Sequence, residues 1–301
     1  MSSYNRTAAS TVTTQQTAYG YVPHEGVAIL FLTLFALSTL LHAAQAAYFR
    51  MWWLLPTACL CGVGELVGWS GRLWSSFSPR AGNPYMMQIT TTIIAPTPLI
   101  AVNFILLARI IRRLGPAYSR LTPKWYTRIF LTCDLIALVV QGGGGGLAAS
   151  SHKPKTIQLG GNIMLGGIIF QFCAICAYTA CGLDFLRHYT SSRPVRPLIS
   201  SAERGVLDAR LKLMIAALGF STFVLFIRSI YRIVELADGW TGTIITTEIW
   251  FNIFDGGMVT LAIWAMNIAH PGLLLGSARS ADTREGMYMK QIPSSSRSSL
   301  V

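Results

Sequence analysis

Four acidic residues, Glu65, Asp134, Glu248 and Asp255, lie inside stretches of sequence that are otherwise apolar. An ionisable side chain in a membrane core costs at least about 2.5 kcal/mol on insertion scales, so each one needs a partner or a water-filled cavity. Carboxyl groups in such places can receive a cationic headgroup, take part in proton coupling or pair with an arginine. These residue types therefore indicate a polar group that binds in, or passes through, an apolar medium.

Sequence spacing places several polar groups on shared helix faces, because seven residues make almost two helical turns. Glu248 and Asp255 are seven residues apart with Asn252 between them, which predicts one polar stripe. The same spacing joins two further pairs, Asp134 with Gln141 and Glu65 with Arg72.

The elements that must carry these residues are apolar spans of membrane length. The chain of 301 residues is 52% hydrophobic and only 12% charged, which is too apolar for an ordinary soluble domain. A stretch of about 20 apolar residues crosses a hydrocarbon core about 30 Å thick. We therefore predict an all-α integral membrane protein, a bundle of seven transmembrane helices with approximate spans at 26–48, 52–73, 85–108, 129–149, 159–186, 211–233 and 247–269.

Lysine and arginine are distributed unequally between the two sides of this bundle. Seventeen lie at Arg50, in 109–128, in 187–212 and in the C-terminal tail, and seven lie on the other side. Because basic loops stay in the cytoplasm, we expect the N-terminus outside and the C-terminus in the cytoplasm. The expected parts are an extracellular tail 1–25 with a glycosylation sequon at Asn5, a membrane domain 26–272 and a disordered cytoplasmic tail 273–301.

This orientation sorts the polar residues by depth. Most would lie in the outer half of the bundle, whereas Gln141 and Asp255 would lie deeper and Asp134 toward the cytoplasm. A structural alternative stays open, in which an outer acid pairs with Arg72 or Arg228 and only locks the helices together. The predicted substrate pathway or gate consists of Glu65, Arg72, Gln88, Asp134, Gln141, Gln171, Arg228, Arg232, Glu248, Asn252 and Asp255.

Glycine and proline interrupt two of the spans. Five consecutive glycines follow Gln141, at 142–146, and in the third span Pro96 and Pro98 follow three threonines at 90–92. In lipid, neighbouring helices resupply hydrogen bonds to loosened backbone, so the glycines indicate either close packing or local unwinding beside a cavity. We expect the threonine hydroxyls to cap the carbonyls that the prolines free. Paired broken helices are typical of transporters, and the alternative is a kinked helix with a tight contact and no pathway.

The chain carries a series of motifs in order: GELVGWSGR (64–72), Gln88 followed by an APTP segment, Asp134 with Gln141 and the glycines, GGIIFQ (166–171), IRSIYRIVELADGWTGTIITTEIWFNIFDGG (227–257) and HPG (270–272). These motifs resemble those of the fungal lipid-translocating exporter family, whose founding members are the 7-aminocholesterol-resistance proteins. The resemblance covers roughly residues 20–272. Two positions depart from the pattern, because Trp69 and Phe104 stand where tyrosine is expected.

The resemblance implies a seven-span protein with an external N-terminus, in the plasma membrane or another membrane of a fungus. It also implies export or flipping of sphingoid long-chain bases, resistance to amphiphilic toxicants, or porphyrin uptake. The family pattern falls on the predicted site residues other than Asn252. It also falls on Gly68, Pro96, Tyr231, Glu235, His270 and Pro271.

We therefore expect a plasma-membrane translocator that exports or flips lipids or amphiphilic compounds, such as sphingoid long-chain bases or sterol-like toxicants, and so contributes to resistance. Glu65 and the acids of the last span would accept the headgroup while the acyl part stays in lipid. We expect Glu248→Gln or Asp255→Asn to abolish resistance with membrane expression intact. No Walker A pattern follows the glycines, which leaves proton coupling, a passive gradient or an accessory role.

Two other classes of protein stay open. A seven-span receptor or sensor of lipid or drug stress would signal to protein partners at the basic cytoplasmic loops. A membrane enzyme would use Glu65 or Asp255 as an acid, but the sequence has no histidine cluster, metal-ligand spacing or Ser/His nucleophile pair. We predict no enzyme activity, catalytic residue, metal or cofactor. We also predict no nucleic-acid partner, because most of the basic excess behind the net charge of +12 lies in loops that face anionic lipid.

Overall fold

The computed structural model describes residues 17, 19–151, 153–196, 205–240 and 242–276. Within these residues every regular element is helical. Six of the described helices are long and apolar enough to cross a membrane: Glu25–Phe49, Gly82–Leu114, Pro123–Ala149, Pro154–Thr190, Ala209–Asp238 and Glu248–Leu274. The prediction of an all-α multi-pass membrane protein is confirmed. Large apolar side chains such as Leu40 and Val139 stay on the outer surface, as expected where lipid replaces water.

Most of the helices follow one another with short connections, and the segment 191–208 is an exception in length. In chain order they are α1 (Glu25–Phe49), α2 (Leu60–Phe77), α3 (Gly82–Ile94), α4 (Thr97–Leu114), α5 (Pro123–Ala149), α6 (Pro154–Thr190), α7 (Ala209–Asp238), α8 (Glu248–Phe251), α9 (Met258–Ile268) and α10 (Pro271–Leu274). A π-helical turn, Asn252–Gly257, joins α8 to α9 within the last span.

The second predicted span, 52–73, is the one that does not qualify by length and composition. It begins with a 3₁₀ turn, Trp52–Leu54, and a π-helical turn, Leu55–Cys59, before it continues as α2. This segment carries Glu65 and Arg72, which lower its mean hydropathy, yet α2 packs against both α1 and α3. The count of seven spans and their orientation therefore stay predictions.

Local sequence signals explain where several helices begin and end. Helices α5 and α6 both begin with proline, whose missing N–H would be unpaired in a first turn in any case. Asp208 caps α7 by accepting a hydrogen bond from the Leu211 backbone N–H at 3.0 Å. Gly115, at φ 130°, follows α4 in a conformation that other residues rarely adopt.

The third predicted span occupies the centre of the bundle. Its apolar part, within α3 and α4, is 78% buried, whereas the other five candidate spans are 33–39% buried. The span is interrupted at Ala95 and Pro96, as its prolines predicted. The break therefore lies where several helices meet.

The glycine run does not interrupt its helix, because α5 continues through it to Ala149. A Cβ atom at Gly144 would lie 2.7 Å from the Gly160 carbonyl oxygen and 2.7 Å from the Met164 backbone nitrogen, both on α6. A Cβ atom at Gly160 would in turn lie 2.6 Å from the Gly144 carbonyl oxygen. Of the two alternatives for these glycines, the structure has close helix packing.

Gly144→Ala is expected to lower the free energy of unfolding by about 1–3 kcal/mol, because the added methyl group meets backbone atoms that cannot move aside. Gly143→Ala is the matched control, since its Cβ atom would have open space among the described residues. The control is expected to be neutral or slightly stabilising, because alanine favours helix. The midpoint of thermal unfolding in detergent measures both. Equal midpoints would show that the α5–α6 contact does not need Gly144.

Candidate functional site

Asp255 lies in the middle of a buried group of charged side chains. It accepts hydrogen bonds from Arg228 Nε at 2.9 Å, from Arg232 Nε at 2.8 Å and from Arg232 Nη2 at 2.6 Å. Glu235 accepts one from Arg232 Nη1 at 2.6 Å and one from the Tyr231 hydroxyl at 2.7 Å. We call this group and its neighbours the arginine centre: Glu65, Arg72, Thr92, Arg228, Arg232, Glu235, Glu248 and Asp255.

Arg228 also bonds the backbone carbonyl that is left free at the break in the third span. Pro96 has no N–H, so the carbonyl of Thr92, four residues earlier, loses its helical partner. Arg228 Nη2 donates to that carbonyl oxygen at 2.6 Å and to the Ile93 carbonyl oxygen at 3.3 Å. One guanidinium group therefore holds the end of α3 and the carboxylate of the last span together.

The threonines at 90–92 do not cap the freed carbonyls, so that expectation is wrong. The Thr92 hydroxyl donates to the Gln88 carbonyl oxygen one turn earlier at 2.9 Å, and Thr91 bonds in the same way within its own helix. Thr92 Oγ1 also accepts a hydrogen bond from Arg232 Nη2 at 2.7 Å. Gln88 lies beside this contact, with its Nε2 3.4 Å from Thr92 Oγ1.

A second ion pair adjoins the first. Arg72 Nη2 lies 3.1 Å from Glu248 Oε1 and donates to the Tyr21 hydroxyl at 2.9 Å. The Phe251 ring contacts both guanidinium groups, with its centroid 4.5 Å from Arg72 Cζ and 5.2 Å from Arg232 Cζ. The ion pair required by the structural alternative is therefore present for Glu248.

Residues just before α1 cover this ion pair. The His24 backbone N–H donates to Glu248 Oε1 at 2.9 Å, and the rings of Tyr19 and Tyr21 lie 5.5 and 5.6 Å from Arg72 Cζ. Burial raises the pKa of the Tyr19 phenol to about 12, so Tyr19 stays neutral beside the arginine. The end of the predicted N-terminal tail is thus part of the folded bundle. Asn5 and the tail 277–301 lie outside the described residues.

Glu65 differs from the other acids of the arginine centre. It is completely buried, and neither of its carboxyl oxygens has a hydrogen-bond partner in the described part of the chain. Trp69, one turn later, is also buried and stacks on Phe31 at 4.2 Å between ring centroids. The centre contains four carboxyl groups and three guanidinium groups. Arg228 and Arg232 attract the Glu65 charge but form their ion pairs with Asp255 and Glu235. Because a buried charge without an ion-pair partner is costly, Glu65 favours one further positive charge, such as a proton or a cationic group.

Asn252 takes no part in either ion pair. It is half-buried at the start of the π-helical turn, and its Oδ1 is unpaired among the described residues. The predicted stripe of Glu248, Asn252 and Asp255 is thus divided between two separate contacts. A π turn changes the helical repeat, which is why spacing alone did not predict the division.

A second polar group lies on the other side of the helix break, and we call it the glutamine centre: Thr97, Asp134, Gln141 and Gln171. Gln171 Nε2 donates to Asp134 Oδ1 at 2.8 Å and to Thr97 Oγ1 at 3.1 Å. Gln141 Nε2 donates to Gln171 Oε1 at 3.0 Å. In the part of the chain that the structure describes, Asp134 Oδ2 and Gln141 Oε1 have no hydrogen-bond partner.

The Asp134 carboxylate determines how the side-chain amides of Gln171 and Gln141 are oriented. A carboxylate only accepts hydrogen bonds, so the amide nitrogen of Gln171 must face it and the amide oxygen must face Gln141. The two surplus oxygens of the centre are both acceptors as a result. Asp134 is 3% exposed, and its one described hydrogen bond comes from a neutral amide rather than from an arginine.

The structure gathers ten of the eleven predicted site residues into the two centres or beside them, with Asn252 apart. Three contributors were missed as site residues: Thr92, Thr97 and Glu235. Glu235 lies seven residues after Arg228, so the spacing used for the other pairs could have found it. The predicted span ended at 233, and Glu235 was therefore left outside the membrane. The two threonines carry no such signal, because threonine is common in helices of this kind.

A helical bundle with an ion-paired interior and two buried carboxyl groups outside the described ion pairs defines a multi-pass membrane protein with a polar interior. The model of the RTA1-like protein family matches residues 58–278 of this chain. The chain belongs to the RTA1-like family. No solved structure matches it.

Named relatives support this membership. The sphingoid long-chain base transporter RSB1 of Saccharomyces cerevisiae is 27% identical over 279 residues, which cover 84% of this chain and 73% of the relative. The lipid-translocating exporter-like protein RTA1 of Leptosphaeria maculans is 26% identical over 286 residues, 88% of this chain and 53% of the relative. Protoporphyrin uptake protein 1 of Saccharomyces cerevisiae is 23% identical over 288 residues, 83% of this chain and 90% of the relative.

Proposed function

We propose that this protein exports or flips amphiphilic lipids whose headgroup is cationic or hydroxylated, with sphingoid long-chain bases as the leading substrate class. One observation carries the proposal: Glu65 and Asp134 are buried within the bundle, and neither forms an ion pair among the described residues, although Arg228 and Arg232 attract the Glu65 charge from a longer distance. An ammonium group that travels with an alkyl chain would supply the missing charge while its chain stays in lipid. The printed names of two relatives, a long-chain base transporter and a lipid-translocating exporter-like protein, support the same class.

The ion pairs change which acids receive the headgroup. Sequence analysis assigned this role to Glu65 and to the acids of the last span. Glu248 and Asp255 are held by arginines, which favours a locking role for them. Glu65 and Asp134 are left as the carboxyl groups with unsatisfied buried oxygens in the described structure.

The proposal includes seven spans in the plasma membrane, with the N-terminus outside and the C-terminus in the cytoplasm. Three of the seven basic residues counted on the outer side, Arg72, Arg228 and Arg232, are ion-paired inside the bundle. The difference in basic residues between the loops of the two sides is therefore larger than the sequence count, which supports this orientation. The basic cytoplasmic loops remain candidate sites for protein partners.

Export of a labelled sphingoid long-chain base from cells that lack their own homologues tests the proposal. Cells that express the wild-type protein should lose the label faster than empty cells, and Glu65→Gln should reduce that difference at least about tenfold by removing one charge-assisted interaction. Glu25→Gln, an exposed acid in the first turn of α1, is the matched control and should export normally. Enzymatic removal of a glycan from wild-type protein but not from Asn5→Gln reports the external N-terminus in the same cells.

Two results would count against parts of this proposal. If cells that express the wild-type protein retain the label as long as empty cells do, the proposed transport function is wrong. If the Glu65→Gln variant exports normally, the transport function is still supported, but Glu65 has no role in the substrate pathway.

A receptor or sensor is the second candidate, and the closed arginine centre favours it. Arg72, Arg228 and Arg232 are at most 4% exposed, as suits a resting state that waits for a ligand. A sensor would bind the long-chain base without exporting it, and ligand would change the capture of proteins by the basic loops. We propose no catalytic role for either centre.

A further inference from the structure

An apolar groove opens on the side of the bundle between α4, α6 and α7, and we call it the lateral groove. Its volume is about 350 Å³. Its walls include Leu107, Ile110, Leu183, Leu218, Phe223 and Phe226, and its polar lining residues are Tyr178, Thr179 and Thr222. This side of a membrane-spanning bundle meets acyl chains rather than water, so the groove suits an alkyl chain.

A small cavity adjoins the lateral groove on the side of the glutamine centre. It measures about 10 Å³, the space of about one water molecule, and it shares Tyr178 and Thr222 with the groove. Its other walls include Ile100 and Ile175. Ile100 lies one helical turn after Thr97, and Ile175 lies one turn after Gln171. The groove and the glutamine centre are therefore consecutive along the same two helices, α4 and α6.

Tyr178 stands between the two. Its hydroxyl donates to the Asn103 carbonyl oxygen at 3.0 Å, and its ring lies 4.7 Å from that of Phe104 and 5.7 Å from that of Phe130. A chain that enters from the groove needs this ring to move. Tyr178 lines both the groove and the small cavity, and the small size of that cavity favours a single alkyl chain over the paired chains of a phospholipid.

We propose that the lateral groove and the glutamine centre together bind a single-chain amphiphilic amine, with the ammonium at Asp134 and the chain in the groove. The inference rests on the proposed function and deepens it, because it selects Asp134 rather than Glu65 as the first receptor. From Gln171 to Leu186 the α6 axis runs about 22 Å, which accommodates a long extended alkyl chain.

Charge fixes the direction in which the amine lies. Asp134 Oδ2 and Gln141 Oε1 are buried acceptors without partners among the described residues, and they lie at the inner end. At the other end the two carboxylates are already paired, Asp184 with Arg120 and Asp208 with Arg113, and Arg112 and Arg187 in the last turns of α4 and α6 add further positive charge. These cations repel an ammonium, so the headgroup points inward. In the proposed orientation the groove faces the cytoplasmic leaflet, where a lipid destined for export begins.

Photolabelling of the purified full-length protein tests the site with two probes: a photoreactive long-chain primary amine and the alcohol of the same chain. Asp134→Asn keeps the oxygen that bonds Gln171 and removes the charge, so it should lower amine labelling at least about tenfold and leave alcohol labelling within about twofold. Gly219→Leu fills the groove, because a Cβ atom there has open space around it in the described structure. It should lower labelling by both probes about tenfold. Gly166→Leu is the matched control on α6, also exposed and with open space among the described residues, and should change neither.

Several results would overturn the inference. Equal amine labelling of Asp134→Asn and wild type would do so, as would loss of amine preference in Glu65→Gln instead. Normal labelling of the Gly219→Leu variant would show that the lateral groove does not hold the alkyl chain. An anionic phospholipid with its tail in the groove and its phosphate near the arginines would make labelling depend on Gly219 but not on Asp134, which also contradicts the proposal.

Because labelling needs no transport, the two proposals fail separately. If the labelling follows the predicted pattern but cells that express the wild-type protein do not export the lipid, the binding site is supported and the transport function is contradicted. If the lipid is exported but none of the predicted labelling changes occurs, the transport function is supported and the binding site is contradicted.

Discussion

Asp255→Asn is expected to destabilise the folded protein by about 3–5 kcal/mol, because it leaves two buried guanidinium groups without their shared carboxylate. Arg228 and Arg232 contribute three hydrogen bonds to Asp255, and all three residues are at most 4% exposed. The variant should give little monodisperse protein in detergent, with a lower midpoint of thermal unfolding. This replaces the sequence-based expectation that Asp255→Asn would be expressed normally and lose only its activity.

Asp184→Asn is the matched control for that experiment. Asp184 accepts a hydrogen bond from Arg120 Nε at 2.8 Å, and the Arg120 side chain is 68% exposed. An exposed ion pair contributes about 0–1 kcal/mol, so the same substitution should cost little here. If both variants unfold at the wild-type temperature, the arginine centre is not a stabilising network.

Arg228→Met is expected to destabilise the protein by about 3 kcal/mol or more, because it removes a partner of Asp255 and the cap on Thr92. Adding Pro96→Ala should recover about 1 kcal/mol. Alanine restores an N–H at position 96, which can bond the Thr92 carbonyl oxygen through the ordinary helical pattern. By itself, Pro96→Ala should gain less, since Arg228 already satisfies that carbonyl.

Thermal unfolding of the wild type, the two single variants and the double variant forms a double-mutant cycle. A favourable coupling of about 1 kcal/mol is expected between positions 96 and 228. Strictly additive effects would mean that the arginine does not replace the hydrogen bond that the proline removes. Pro98→Ala is a suitable control, because Pro98 frees the Ile94 carbonyl, which Arg228 does not contact in the described structure.

Much of the fold follows from apolar length and composition. The predicted spans at 26–48, 129–149 and 211–233 lie within α1, α5 and α7. The break at Pro96 was predictable because proline removes a hydrogen bond wherever it lies inside a helix. The segment 52–73 was harder to classify, because its charged residues and glycines weaken the apolar signal that identifies a span.

Less of the site was predictable, because spacing shows which residues share a face but not what that face meets. Glu65 and Asp255 look alike in sequence, yet Asp255 forms ion pairs with two arginines and Glu65 forms none among the described residues. Packing between distant helices decides the difference. The same limit applies to Arg228, whose bond to the Thr92 carbonyl joins residues 136 positions apart.

The role of the glycines also depended on a partner helix. Gly144 and Gly160 meet backbone to backbone across α5 and α6, and either one alone would not indicate the contact. Gly143 and Gly146 meet nothing within 4 Å in the described structure, although they belong to the same run. A run of identical residues therefore contains members with different roles.

The π-helical turn in the last span contains one residue more than an α-helical turn would. A conversion of Asn252–Gly257 to ordinary α-helix would rotate everything before the turn by about 100° relative to α9. Such a screw motion would carry Glu248 away from Arg72 without tilting the helix or displacing α9. Such a conversion would change the partners at one end of the last span and leave the contacts of α9 in place.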